Sequence, residues 1–376
     1  MDLSQVFTEL TKGFANLTIG NVIMIVAGCV LIYLAIVKEF EPVLLLPIGL
    51  GCVIANIPMT GMTGPGGIFT VLYDAGIKNE LFPLLIFIGV GAMIDFSPLL
   101  SQPKMVLLGA AGQFGIFGTL LLATLLGFPL NEAASIGVIG AIDGPTSIFV
   151  ASKLAPSLLA PIAVAAYSYM SLIPIIQPPI MKLMTTKKER LVRMEYAPRP
   201  ISKRALIAFP IVVTLVVGII VPDAVPLISM LMLGNLLRES GVVDRLNKTA
   251  QNELINIATL FLALTIGSTM TASSFLSVST LAVLGLGLIA FALDTFAGLF
   301  FGKIMCWLSS YKINPLIGAA GISAFPMAGR LAARMVQDED FENFILMHAM
   351  GANTAGQLGS VAAGGILLAL VSGVLL

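Results

Sequence analysis

Apolar runs of helix length alternate with short polar joints along almost the whole chain. The clearest lie at roughly 20–37, 41–56, 104–127, 157–181, 204–221, 223–237, 255–272 and 278–301. A spanning helix needs about 20 predominantly apolar residues, so the pattern predicts a membrane helix at each. Three further stretches are apolar but broken or short: 82–98, 132–152, and everything from Asn314 to the C-terminus. Glycine and proline punctuate these runs, as in "IQPPIM" and "ISAFPMAG". The expectation is an all-α polytopic membrane protein of about ten to eleven segments, several of them broken or re-entrant.

One long polar stretch interrupts the pattern, "KLMTTKKERLVRMEYAPRPISKR" at 182–204. Its eight Lys and Arg residues place it in the cytoplasm by the positive-inside rule. A hairpin over 205–221 and 223–237 then returns the chain to the same side at "RESGVVDRLNK", which is also basic. The chain thus divides into a first membrane half (1–181), the basic loop (182–204) and a second half (205–376). Each half ends in similar punctuation. The first has "PLLIFIGVGAMIDFSP" and then "IGVIGAIDGPTSIF"; the second has "NPLIGAAGISAFPMAG" and then "MHAMGANTAGQLGS". Paired interruptions predict inverted repeats, with a break at DGPT in one half and at GANTAG in the other, and a site where broken helices meet near the midplane.

Composition agrees with a bilayer setting. Of 376 residues, 57% are hydrophobic and 11% charged, against about 25% charged in soluble domains, and mean hydropathy is +1.01. Formal net charge is zero, which argues against nucleic acid as a partner. Cys29, Cys52 and Cys306 are scattered in apolar context and form neither a disulfide framework nor a metal pattern. The first 20 residues are amphipathic and lack the parts of a signal peptide. No nucleotide loop, GxSxG elbow or HExxH occurs.

Candidate chemistry centres on "GAIDGPTSIF". An aspartate in hydrocarbon costs roughly 2.5–3.5 kcal/mol, and irregular backbone at that depth is tolerated only in protein or along a cavity. Asp-Gly-Pro is also ordinary turn chemistry, but here a carboxylate and freed carbonyls coincide, which suits a hard, oxygen-seeking cation. Thr146 and Ser147 add hydroxyls. Asn353 and Ser360 in "GANTAGQLGS" repeat the arrangement without charge, as cation ligands or as small-residue helix packing. Ser323 is an N-cap or a site hydroxyl. Arg330, seven residues on, is a snorkelling cation or a carboxylate partner. Asn314 is a cap or a site amide. Asp95 is a second ligand or a helix-end acid in water. His348, the sole histidine, reads as a packed residue. Tyr167 suits an interfacial belt.

Several blocks carry a family resemblance: "GPGGIFTVLYDAGI", "GVGAMIDFSPLL", "GAIDGPTSIFVASKLAP", "AAYSYMSLIPIIQPPIM", "NPLIGAAGISAFPMAGR" and "MHAMGANTAGQLGSVAAGG". From about residue 60 to the end, the chain resembles the membrane β subunit of sodium-translocating carboxybiotin decarboxylases, the oxaloacetate, methylmalonyl-CoA and glutaconyl-CoA enzymes. Its short N-terminus resembles the CoA-ester type. The resemblance implies a subunit that decarboxylates carboxybiotin held on a partner and couples CO2 release to Na+ export with proton uptake. It implies functional roles for Asp143, Tyr169, Asn314, Gly318, Ser323 and Arg330, and an ion-site role for Asn353. With Thr146, the implied Na+ set is Asp143, Thr146, Asn353 and Ser323. Asp143, Tyr169, Ser323 and Arg330 are the implied catalytic group, and Arg330, Asn314 and Gly318 the implied biotin contacts. The implied partners are a biotin carrier, a carboxyltransferase α subunit and a small membrane γ/δ subunit, in a homo-oligomeric complex of the cell membrane. From the residues alone, a secondary sodium/proton antiporter or sodium-coupled transporter remains the alternative.

Overall fold

In the computed structural model, residues 11–195 and 200–375 are described. Residues 1–10 of the amphipathic start and 196–199 of the polar loop lie outside them. The described residues form helices joined by turns, with no strand among them. Among the described residues, five helices are long and apolar enough to cross a membrane, or seven if each of two bent pairs is one span. The remaining apolar segments are shorter or broken.

The hydrophobic runs become helices close to their expected places. Ile19–Val37 and Pro42–Ala55 form a first hairpin, followed by Leu81–Met93. Met105–Ala111 and Phe114–Leu125 come next. A broken element then runs through Leu130–Gly137 and the turn Val138–Ala141, and resumes at Gly144–Leu154. Leu159–Met184 closes the first half. After the basic loop the same order recurs. Lys203–Ile220 and Val225–Ser240 form a hairpin, and Ile255–Ser268 and Val278–Leu308 follow. Pro315–Gly321 and Met327–Gln337 make a second broken element before the final helix, Leu346–Leu375.

Packing exchanges elements between the halves. Leu81–Met93 packs on Val225–Ser240, and Pro42–Ala55 packs reciprocally on Ile255–Ser268. Glycines let these backbones touch. A Cβ on Gly91 would sit 1.8 Å from the Leu231 carbonyl oxygen, and one on Gly234 2.0 Å from that of Ile88. Without a hydrophobic drive between helices in lipid, such small-residue contacts supply the association. The other exchange is deeper: Val278–Leu308 packs on Leu159–Met184 and on Val138–Ala141, while Met105–Ala111 packs on Leu346–Leu375 and on Pro315–Gly321. Each break is therefore held by helices of the opposite half.

The second break does not lie where the sequence pattern put it. GANTAG is inside the continuous helix Leu346–Leu375, and the interruption matching DGPT is Ile322–Pro326. GANTAG has no proline, and its glycines serve close packing. A Cβ on Gly356 would come 2.3 Å from the Gly321 carbonyl oxygen.

The basic loop folds onto the second half. Arg193 pairs bidentately with Asp340 (2.8 and 3.0 Å) and reaches Glu342 at 3.2 Å. Arg190 meets Glu339 at 2.8 Å. The buried Asn314 donates to the carbonyls of Arg190 and Val192, both at 2.9 Å.

Candidate functional site at two helix breaks

Asp143 N-caps the resumed helix Gly144–Leu154, with Pro145 in the first turn where no backbone donor is needed. The residue before it, Ile142, sits in the left-handed region at φ 53°. For a β-branched side chain that conformation is strained and persists only when surrounding structure enforces it. The strain aims the carboxylate inward: Asp143 is 5% exposed.

Four groups converge on that carboxylate. The Thr146 backbone N–H donates to Oδ1 at 3.3 Å. Oδ2 accepts from Thr146 Oγ1 at 2.6 Å, Gln357 Nε2 at 2.9 Å and Ser360 Oγ at 3.0 Å. Gln357 and Ser360 follow Asn353 at four- and seven-residue spacing on the last helix, so all three face the breaks. Asn353 Nδ2 donates to the Ile322 carbonyl at 2.7 Å, while its buried Oδ1 receives no hydrogen bond among the described residues. Ser323 Oγ donates to the Ala141 carbonyl at 2.6 Å, tying the second break to the first. Ser147 Oγ is turned back onto the Asp143 carbonyl at 2.8 Å.

A cavity of about 350 Å3 opens beside this cluster, lined among others by Asp143, Tyr167, Ser323, Phe325 and Gln357. No group of three or more His, Cys, Asp or Glu side chains is gathered anywhere among the described residues. One carboxylate with neutral hydroxyl and amide oxygens suits a monovalent cation bound reversibly, because a single negative charge neutralises it without trapping it. Of the expected ion ligands, the structure brings Asp143 and Thr146 into direct contact and sets Ser323 and Asn353 around them.

Other expected residues lie elsewhere. The Tyr169 hydroxyl donates to the Leu284 carbonyl, away from Asp143. It is Tyr167 that packs its ring on Gly144 and lines the cavity. Two residues on one helix differ by about 200° of rotation, so only one of this pair can face the site. Asn314 caps Pro315–Gly321 through Leu316 N–H at 3.0 Å and anchors the basic loop. Gly318 is buried backbone to backbone against Gly298. Arg330 is exposed and makes no ion pair among the described residues. Its helix leads from Phe325, at the Asp143 cavity, to a second cavity of about 490 Å3 that includes Lys182, Leu331, Arg334 and Glu339. Asp95 lies at a helix end, accepting from Ser97 N–H at 2.8 Å and facing Arg238 at 3.7 Å. His348 is buried and hydrogen-bonded to the Glu195 backbone.

Sequence reasoning missed Gln357, although its spacing from Asn353 and Ser360 carried the signal. It also missed Asp294, a 0% exposed acid in the helix Val278–Leu308.

Comparison with known proteins adds an independent line. A family model described as "Na+-transporting oxaloacetate decarboxylase beta subunit" matches residues 20–371. The chain is 54% identical over 363 residues to the glutaconyl-CoA decarboxylase subunit beta of Acidaminococcus fermentans, covering 96% of both chains. It is 52% identical to the methylmalonyl-CoA decarboxylase subunit beta of Propionigenium modestum, over 96% of this chain and 97% of that one. Identity to the oxaloacetate decarboxylase beta chain of Klebsiella pneumoniae is 45%, over 96% and 97%. That last alignment spans 420 positions against 363 for the first, so the shorter CoA-ester type fits this chain better.

Proposed function

The chain belongs to the family of sodium-transporting oxaloacetate decarboxylase β subunits, and from that membership we infer that its two helix breaks couple decarboxylation of a carboxylated biotin to Na+ export. Its relatives are β subunits of sodium-translocating decarboxylases, so this protein is a membrane subunit of a multi-subunit sodium pump. Membership decides between that reading and a secondary antiporter, which the residues alone left open.

One observation supports the site assignment: Asp143 at a helix break, with Thr146, Gln357 and Ser360 turned toward a single carboxylate oxygen. Replacing those donors with Na+ requires only that the hydroxyls rotate and the Gln357 amide presents its oxygen. Asn353 Oδ1 and carbonyls of the broken segments complete an oxygen shell. Asp143 binds Na+ from the cytoplasmic side. Movement of the elements around Asp143 against those around Ser323 then changes which face the ion sees. We read the two halves as inverted repeats, each holding the other's break.

Carboxybiotin supplies a labile N-carboxylate, which leaves as CO2 when the ureido nitrogen takes a proton. Arg330, exposed on Met327–Gln337 and outside any ion pair among the described residues, binds that carboxylate with a planar fork. Lys182 and Arg334 at the outer cavity attract it, and Leu331 and Met335 give the biotin ring apolar cover. Ser323, on the same segment as Arg330, reports occupancy to Ala141, two residues before Asp143. Tyr169 hands on the incoming proton. The biotin carrier, carboxyltransferase α subunit and small γ/δ subunit are the partners this reading assigns, in a homo-oligomeric complex of the cytoplasmic membrane.

The purified complex in liposomes tests the reading by measuring Na+ uptake and CO2 release with and without avidin. Na+ uptake that avidin leaves intact would overturn it.

A further inference from the structure

The acid that the ion site leaves unused is Asp294. It lies in the interior of the 31-residue helix Val278–Leu308 and is completely buried. Oδ1 accepts the backbone N–H of Gly115, where Met105–Ala111 gives way to Phe114–Leu125. Oδ2 is buried and receives no hydrogen bond among the described residues. Two glycines make room for the group. A Cβ on Gly140 would lie 2.7 Å from Oδ2, and one on Gly115 2.7 Å from Cγ.

Helices and turns of both halves pack around this residue, and none offers it a counter-charge among the described residues. The titratable groups on those elements are Glu132, Tyr167, Tyr169 and Lys182, with Lys303 and Cys306 on its own helix; none hydrogen-bonds or ion-pairs with Asp294. A carboxyl so placed, with one oxygen unmet and no counter-charge beside it, is costly to bury unless something offsets the cost. The Gly115 donor accounts for one oxygen only.

We propose that Asp294 is the proton-carrying acid of this pump, loaded in the present conformation and discharged when the first break moves. Its Oδ2 rests on Gly140, three residues before Asp143, and the turn Val138–Ala141 joins them. The Ala141 carbonyl is held by Ser323 across the other break. Rearrangement that admits Na+ to Asp143 therefore changes what surrounds Asp294. Tyr169 meets the same face of Val278–Leu308, because Leu284, Gly287, Phe291 and Asp294 recur at three- and four-residue spacing. That puts its hydroxyl about 15 Å along the helix from the acid. The proton balance is simple: Asp294 gives up H+ and becomes a carboxylate, the carboxybiotin nitrogen takes H+ as CO2 leaves, and a proton from outside restores the acid.

This inference rests on the pump reading, so the experiment separates them. Wild-type complex in liposomes is first shown to take up Na+ in an avidin-sensitive way, with internal pH followed by a trapped dye. In Asp294→Asn, turnover should fall about a hundredfold, the range of a lost proton-transfer group. Proton movement per Na+ should vanish, while Na+ still protects the complex against thermal unfolding to within about twofold of wild type. Asp294→Glu should restore proton movement. A wild-type ratio of protons to Na+ in Asp294→Asn overturns the proposal. If the Asn variant fails to assemble, infrared spectra of wild type and Asp294→Glu decide. A protonated-carboxyl band at neutral pH that shifts with the substitution supports the proposal, and its absence overturns it.

Discussion

Asp143 is the charged centre of the proposed site: among the described residues, the groups that hydrogen-bond its carboxylate are all neutral. Exchange for Asn removes the anion but keeps the N-cap, since Asn caps helices about as well as Asp. Asp143→Asn should therefore insert and assemble normally while sodium-activated turnover falls at least about a hundredfold. Sodium-activated turnover above a tenth of wild type would return Asp143 to a turn residue. Ser360→Ala makes a graded test. It removes an oxygen that turns from the carboxylate toward Na+ when the ion binds, so the Na+ concentration for half-activation should rise about tenfold with kcat little changed. The two tyrosines separate by role. Tyr167→Phe, at the cavity, should alter Na+ affinity. Tyr169→Phe, on the Leu284 carbonyl, should slow turnover and leave Na+ affinity alone. The reverse pattern would move the proton role to Tyr167. At this scale Asp143, Thr146 and Ser360 were legible, because a carboxylate and hydroxyls within an apolar run must find polar company there or forfeit their hydration. Tyr167 was not, because the choice between two tyrosines two residues apart depends on helix rotation, which apolar surroundings on every side leave undetermined.

Breaks are where the elements departed from the pattern. DGPT reads as a break because a proline and an Asx turn coincide. GANTAG shares the glycines but no proline, and its asparagine donates outward to Ile322 instead of back to its own helix. Glycine frequency in membrane helices serves close approach as often as interruption, and only the partner backbone at Gly321 tells the two apart. The true second break, ISAFP, starts the helix that bears Arg330. That placement sets a test of the side chain's chemistry. If Arg330 grips a carboxylate through its planar fork, Arg330→Lys should be nearly as harmful as Arg330→Ala. Decarboxylation of free carboxybiotin should fall about tenfold or more in both. Sodium protection against unfolding should persist in Arg330→Lys; losing it would place Arg330 in the ion site or the fold. Full activity with Lys would leave only a topological anchor.

Across the whole molecule, the basic loop is both a topological marker and a clasp. Its eight cations are what the positive-inside expectation rests on, but the acids that pair with Lys187, Arg190 and Arg193, namely Glu339, Asp340 and Glu342, sit some 150 residues away and could not be matched from the sequence. Two kinds of contact hold the loop. The Arg193 pairs are exposed, and such pairs contribute little in water, while Arg190–Glu339 is half-buried. The Asn314 amide is buried and serves the Arg190 and Val192 carbonyls; Val192 also accepts from Asn343 at 3.1 Å, so losing Asn314 leaves the Arg190 carbonyl unmet at about 1–3 kcal/mol. Asn314→Ala should therefore speed hydrogen exchange across residues 186–195 more than Arg193→Ala does. Acid provides a second lever. Hydrogen bonds from Arg193 and Arg190 hold the Asp340 and Glu339 carboxyls below their ordinary range. A depressed carboxyl stabilises the docked loop above its unfolded pKa, about 3.9–4.3 for these groups, and that contribution disappears only as pH falls through the lower folded value. Protection of the loop amides, exchange taken relative to its intrinsic rate at each pH, should thus stay constant from pH 7 to about pH 5 and fall only below about pH 4. Opening near neutral pH, or a larger effect from Arg193→Ala than from Asn314→Ala, would show that the clasp is electrostatic after all.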